Sequence, residues 1–228
     1  MKVTAIIVAA GSSTRMGKTV SKQLIKLNGS ETILHTLRAF DKAASISETV
    51  VVCRESDISR IKSLAEENGI RKITAFVCGG NTRQQSVANG INAISFDTDY
   101  VAIHDGARPL VLPEDIDLTV KNAVRYGSSA LCVFVKDTIK IVDENGFIES
   151  TPDRSRLVAI ATPQIFELSL YKKAMLRAEA EKKDYTDDCQ LIESLGEKIF
   201  VTFGSPSNIK LTTPEDIITA EVFLRSSE

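Results

Sequence analysis

Short β-branched runs recur along this chain, and each is followed by a stretch with helical spacing. In order they read VTAIIVA, ETILHTLRAF, TVVVC, SDISRIKSLAEENG, KITAFVC, RQQSVANGINAI, YVAIH, PEDIDLTVKNAVRYG and SALCVFV. Strands that are apolar throughout are buried on both faces, and an intervening helix supplies the crossover that parallel strands require. The alternation therefore predicts a largely parallel sheet with helices on both faces.

The fold class expected is α/β, a Rossmann-like, mostly parallel doubly wound sheet. A chain of 228 residues, 43% of them hydrophobic, can bury a full core, and no repeat, low-complexity tract or linker divides it. One domain over residues 1–228 is the expectation. The helix ends are punctuated: Ser56 and Thr213 suit N-caps, Pro214 suits a first helical position with Asp216 three residues after Thr213, and Gly69, Gly127 and Gly196 suit C-terminal caps. Later elements expected are a helix over Leu168 to Glu181, a second opened by Thr186-Asp187-Asp188, a strand over Lys198 to Phe203 and a closing helix from Pro214.

One segment breaks the rhythm. From Lys136 to Phe166 residues alternate around Glu144-Asn145-Gly146, and Asn-Gly between alternating runs signals a β-hairpin. A hairpin standing after the parallel core has few neighbours to stabilise it. It is expected to protrude as an arm, residues 136–160, packed either on its own domain as an edge ribbon or on a second subunit as the contact of a homodimer.

Charge and cysteine usage remove several function classes. A formal net charge of −2 gives no general attraction to nucleic acid or to an anionic membrane, so any phosphate binding must come from local clusters. No apolar run reaches membrane-spanning length and no leader pattern opens the chain, which makes the cytoplasm the expected location. Cys53, Cys78, Cys132 and Cys189 form no CxxC pair, and two histidines cannot build a His-based zinc site alone. His104 reads as a structural histidine and His35, in ILHTL, as a helix-face residue.

The turn after the first strand, AAGSSTRMGKTVSKQ, looks like a P-loop but is not one. Five residues separate Gly11 from Gly17, where a Walker A loop has four. Its small residues still let backbone amides approach an anion, and Arg15, Lys18 and Lys22 can neutralise one. Ligands of open parallel sheets bind beyond the carboxyl ends of the strands, so three further loops belong to the same rim. CGGNTRQQS brings Gly79-Gly80 for close backbone approach and Asn81, Arg83 and Ser86 for directed hydrogen bonds. DGARP brings Asp105, a candidate divalent-cation ligand, and Arg108, a candidate phosphate ligand. SNIKLTTPED brings Lys210. Each loop alone is weak; four cations and two glycine turns on one rim suit a nucleoside triphosphate and a second phosphate-bearing substrate. Asp187 and Asp188 read as first-turn helix acids.

The set AAGSSTRMG with SKQ, GGNTRQQSV, HDGARP, TPDR, ATPQIF, YTDDCQLIE and NIKLTTPED, in this order along essentially the whole chain, resembles the 2-C-methyl-D-erythritol 4-phosphate cytidylyltransferases of non-mevalonate isoprenoid synthesis. The resemblance implies transfer of CMP from CTP to a polyol phosphate with Mg2+ and release of pyrophosphate. It places the catalytic cations on Arg15, Lys22, Arg154 and Lys210. CTP contacts fall on Ala9, Ala10, Gly11, Gly80, Asn81, Arg83, Ser86 and Asp105, and acceptor contacts on Asp105, Arg108, Thr138, Arg154, Thr162, Thr186 and Lys210. It also implies that Arg154 is carried by the arm into a neighbouring subunit's site, so that dimerisation takes part in catalysis.

Three positions depart from the family pattern. Ser21 stands where Pro commonly precedes Lys-Gln, Ser207 where Asp often precedes Asn-Ile-Lys, and Asn81 where Asp is frequent. Ribitol-5-phosphate cytidylyltransferases share the first loop and the NIK segment, but tend to carry a bulkier residue where this chain has Gly106-Ala107. That favours methylerythritol phosphate as acceptor. A catalytically silent nucleotide-binding subunit is the rival from another class; retention of Arg15, Lys22, Arg108, Arg154 and Lys210 together argues against it.

Overall fold

A computed structural model describes residues 1–11, 21–94 and 97–226. Its centre is a seven-stranded sheet. The strands are β1 (Val3–Val8), β4 (Glu48–Cys53), β5 (Ile73–Cys78), β6 (Tyr100–Asp105), β7 (Ser128–Phe134), β10 (Val158–Glu167) and β11 (Phe200–Phe203), in the spatial order β11-β7-β10-β6-β1-β4-β5. Two small antiparallel pairs accompany it: β2 (Lys26–Leu27) with β3 (Ser30–Glu31), and β8 (Ile141–Val142) with β9 (Ile148–Ser150).

Helices cover both faces, as the alternating sequence requires. On one face α1 (Thr32–Lys42), α2 (Glu55–Glu67) and α4 (Pro113–Tyr126) bury Ile33, Leu37, Phe40, Ile61, Ile116 and Val120 against Ala5 and Ile7 of β1. On the other, α3 (Arg83–Asn92), α5 (Leu168–Ala180) and α6 (Asp188–Glu193) pack Val87, Ile91, Tyr171 and Leu191 over Ile6, Val101 and Ile103. Adjacent β1 residues thus point into opposite cores, which explains why its sequence shows no polar alternation. The last helix, α7 (Pro214–Arg225), lies over Leu27, Leu110 and Leu211.

The helix ends follow the punctuation with one exception. Asp216 accepts the Thr213 amide at 2.8 Å in a capping box with Pro214 opening α7, and Gly127 closes α4 with φ +89°. Ser56 is not an N-cap. Helix α2 starts two residues earlier than such a cap would allow, with Arg54 in the cap position, and the Ser56 hydroxyl turns to Asp57. The acids Glu55 and Asp57 in the first turn favour this start through the helix dipole.

The alternating segment from Lys136 to Phe166 is not one long hairpin. Only β8 and β9 pair across the turn, where Gly146 has φ +86°, and the chain then returns as β10 into the main sheet between β6 and β7. β10 is antiparallel to both neighbours, while the other six strands run parallel. Burial decides the outcome: Ala161 to Phe166 are buried, a far larger apolar gain than extending an exposed ribbon. A register shift between Ile160 and Gln164 takes Thr162 out of the β7 ladder.

Candidate active site

Strand order reverses between β1 and β6, because β4 and β5 extend the sheet on one side and β6, β10 and β7 on the other. That gap is the place where doubly wound sheets hold ligands. The register Val8 with Asp105 sets the Ala9–Gly11 turn beside the end of β6, and the Gly106 amide donates to the Val8 carbonyl at 2.9 Å. Next to it the Gly79 amide bonds Cys53 O at 3.0 Å, bringing the β5 loop to the same rim. A Cβ on Gly79 would collide with the Cβ of Ala10. The glycine therefore serves contact between the β1 and β5 loops, in addition to any approach to a ligand.

Asp105 is the centre of the cluster. Lys210 Nζ lies 2.7 Å and Arg108 Nε 3.7 Å from its Oδ2, and Arg83 Nε lies 3.3 Å from its Oδ1. Burial pushes this carboxyl up, but Arg83, Lys210 and Arg108 outweigh burial and leave it well below the ordinary carboxylate range. Lys210 reaches Asp105 because the segment around it is laced down. Leu211 donates its amide to Ala107 O at 2.9 Å, Asn208 donates its side-chain amide to Thr162 O at 2.9 Å, and Arg108 donates to Asn208 O at 2.8 Å. Lys22 Nζ sits 3.5 Å from Leu211 O, so the first loop and the Lys210 segment meet. With 37% of its side chain exposed, Lys210 can meet an incoming anion.

His104 is structural. Its buried ring lies 4.9 Å from Phe40, Nε2 is 3.2 Å from Arg108 O and Nδ1 3.0 Å from Thr162 Oγ1. Thr162 Oγ1 accepts the Asp105 amide at 3.1 Å, so its proton is free for Nδ1, and Nε2–H donates to Arg108. Burial lowers the His104 pKa to about 3, which keeps the ring neutral. Thr162 thus orients Asp105 from behind.

Other expected residues fall as follows. Ala9 is buried under the turn, Ala10 is half-buried, and Gly11, Gly80 and Asn81 are exposed on the rim. Ser86 is buried; it accepts from Gly80 N at 3.0 Å and donates to Thr82 O at 2.9 Å, shaping the loop. Thr186 is exposed and donates to Gln190 Oε1. Thr138 and Arg154 are exposed at the base of the arm, which leaves from the carboxyl end of β7 and so from the same rim. Arg154 donates to Lys136 O at 3.0 Å, and nothing described bonds either residue to the Asp105 cluster. Arg15 and Lys18 lie outside the described residues.

Two of the expected site residues are already engaged by other side chains. Asp105 does not fit a primary metal ligand, because three cations already surround it; and among the described residues no group of three His, Cys, Asp or Glu could hold a metal ion. Arg83, expected to contact CTP, is shared between Asp105 and the buried Asp188, 2.7 Å from its NH1. Asp187 does cap α6, accepting the Gln190 amide at 2.9 Å, but Asp188 is much more than a first-turn acid. Sequence reasoning also missed Arg54, which follows β4 directly and donates to Gly11 O at 2.6 Å, and Gln164, which accepts Cys189 N at 2.9 Å and donates to Asp187. Position just after a strand was the signal for Arg54; Gln164 gave none. All four cysteines are free thiols, with only Cys78 exposed.

A mostly parallel sheet with glycine turns and cations converging at its switch point defines a nucleotidyltransferase-type α/β protein. The sequence profile of 2-C-methyl-D-erythritol 4-phosphate cytidylyltransferase matches residues 3–226. The chain belongs to that family. A relative so named from Caldanaerobacter subterraneus subsp. tengcongensis is 45% identical, covering 99% of this chain and 100% of its own length. One from Clostridium perfringens is 42% identical over 98% of this chain and 99% of its own. The crystal structure of the 4-diphosphocytidyl-2C-methyl-D-erythritol synthase of Anaerococcus prevotii superposes with a TM-score of 0.89 at 32% identity, covering 98% of this chain and 96% of that one. That of the Thermus thermophilus cytidylyltransferase gives 0.78 at 27%, covering 99% and 100%.

Proposed function

We propose that this chain transfers CMP from CTP to the phosphate of 2-C-methyl-D-erythritol 4-phosphate, giving 4-diphosphocytidyl-2-C-methyl-D-erythritol and pyrophosphate. The observation that carries the reading is the meeting of Lys22, Lys210, Arg108 and Asp105 beside the Ala9–Gly11 turn at the sheet's switch point. CTP lies with its base against the Gly80-Asn81-Ser86 loop and its triphosphate toward Lys22, with Arg15 assigned the same task by family membership. An acceptor phosphate oxygen attacks the α-phosphorus, the bond from that phosphorus to the β-phosphate oxygen breaks, and pyrophosphate leaves. The attacking group is an anion at neutral pH, so no general base is needed. Positioning and charge neutralisation carry the catalysis.

Asp105, Arg108, Thr138, Arg154, Thr162, Thr186 and Lys210 are proposed to form the acceptor pocket. Asp105 suits the acceptor's hydroxyl groups, whose O–H donates to a carboxylate, and the cations suit the phosphate. Magnesium ions in triphosphate chemistry are held largely by substrate phosphates, which leaves Asp105 to the three cations around it. The chain is read as a single domain over 1–228 with the arm, 136–160, joining two copies into a homodimer. Ile141, Val142, Phe147 and Ile148 are all more than 40% exposed on that arm, an apolar ribbon with no cover in one copy. No helix among the described residues is long and apolar enough to cross a membrane, and four free thiols suit a cytoplasmic setting. Pyrophosphate release from CTP is expected with methylerythritol phosphate. Release only with ribitol 5-phosphate would move the chain to that acceptor, and CTP binding without turnover on either would make it a silent binder.

A further inference from the structure

A buried chain of polar contacts runs away from the pocket. Tyr171 of α5, fully buried, donates its hydroxyl to Asp188 Oδ1 at 2.6 Å; Asp188 Oδ2 meets Arg83 NH1 at 2.7 Å; Arg83 Nε meets Asp105 Oδ1; and Asp105 Oδ2 meets Lys210. Apolar side chains would join α3, α5 and α6 without desolvating two acids and a guanidinium, so packing alone does not explain the choice. Burial raises the carboxyl of Asp188, with Arg83 and Tyr171 opposing that rise.

We infer that Asp188, braced by Tyr171, is a positioning residue for the acceptor pocket: by holding one end of Arg83 it confines that guanidinium to a single oxygen of Asp105 and leaves the other for Lys210. The inference rests on the transfer reaction proposed above. An arginine fork beside a carboxylate favours bidentate pairing. Released from Asp188, Arg83 takes both oxygens of Asp105 and displaces Lys210 from the acceptor pocket. CTP, bound on the β1 and β5 loops, is little affected.

The test measures acceptor KM, CTP KM, kcat and thermal stability in the full-length protein for Asp188→Asn, Tyr171→Phe and the double variant Asp188→Asn with Arg83→Lys. Asp188→Asn is expected to raise acceptor KM by about tenfold or more and, because Lys210 is displaced, to lower kcat in the direction of the Lys210→Ala loss, while CTP KM holds; Tyr171→Phe is expected to move both the same way by less. Lysine cannot form the fork, so Arg83→Lys is expected to restore part of the acceptor affinity lost in Asp188→Asn. Unchanged acceptor KM, or a double variant worse than Asp188→Asn, overturns the inference. If Asp188→Asn fails to fold, Tyr171→Phe decides, since it keeps the ring packing and changes only the brace. A wild-type protein without acceptor-dependent turnover overturns the reaction itself, an outcome separate from these.

Discussion

Lys210 and Asp105 meet at 2.7 Å, although one follows the last strand of the sheet and the other ends the strand beside β1. Arg83 and Arg108 also face Asp105, so loss of Lys210 leaves the carboxylate paired. Lys210→Ala is therefore expected to cut kcat by roughly 100- to 1000-fold with little change in melting temperature. Asp105→Asn is expected to lower both, since three cations then face one another without the charge that balances them. Steady-state kinetics and thermal denaturation of the two variants check the contrast.

Gly79 separates nucleotide binding from acceptor binding. Its missing side chain lets Ala10 approach, and Gly79→Ala forces the β1 and β5 loops apart. The expected result is a rise in CTP KM with acceptor KM unchanged, measured by varying each substrate at saturation of the other.

His104 predicts a pH dependence of stability. In the folded chain its pKa is about 3 against an ordinary 6.5, so the unfolded chain takes up a proton at a pH where the folded one does not. The stabilisation is complete above 6.5 and declines as pH falls toward 3. From about pH 7.5 to about pH 5 this residue alone removes roughly 2 kcal/mol. Urea denaturation at both pH values measures the loss, and His104→Gln is expected to flatten it while lowering stability at neutral pH.

The arm offers a test of shared sites. If Arg154 serves the neighbouring copy's pocket, mixed dimers of Arg154→Ala and Lys210→Ala chains contain one pocket with both residues intact. Co-refolding the two impaired variants is expected to return activity that neither shows alone. Charged substitutions at Phe147 and Ile148, both largely exposed, are expected to give monomers by light scattering.

The sequence made the layered sheet legible because its strands are uniformly apolar and its helices end on Pro, Gly and Thr213. It did not reveal β10, since an antiparallel strand slotted between β6 and β7 depends on long-range strand order that local periodicity does not encode. The pocket loops were legible from residue type after strands, and Lys22, Arg108 and Lys210 do come together. What stayed hidden is which charges are already engaged. Arg83 looks like an unengaged cation in a string of letters, yet it lies between two carboxylates; Asp105 looks like a metal ligand until the cations around it are seen; and Asp188 looks like a helix-start acid until burial beside Tyr171 is seen.

The most direct measurement follows the label from CTP carrying radioactive phosphorus at the α position, mixed with methylerythritol phosphate and the wild-type, Lys22→Ala or Lys210→Ala protein. The account predicts that wild-type protein moves the label into a cytidyl diphosphate ester of the acceptor, with pyrophosphate in equal amount, and that both variants slow this by roughly 100-fold or more. Label recovered only as CMP or unreacted CTP, or full transfer by Lys22→Ala, contradicts it.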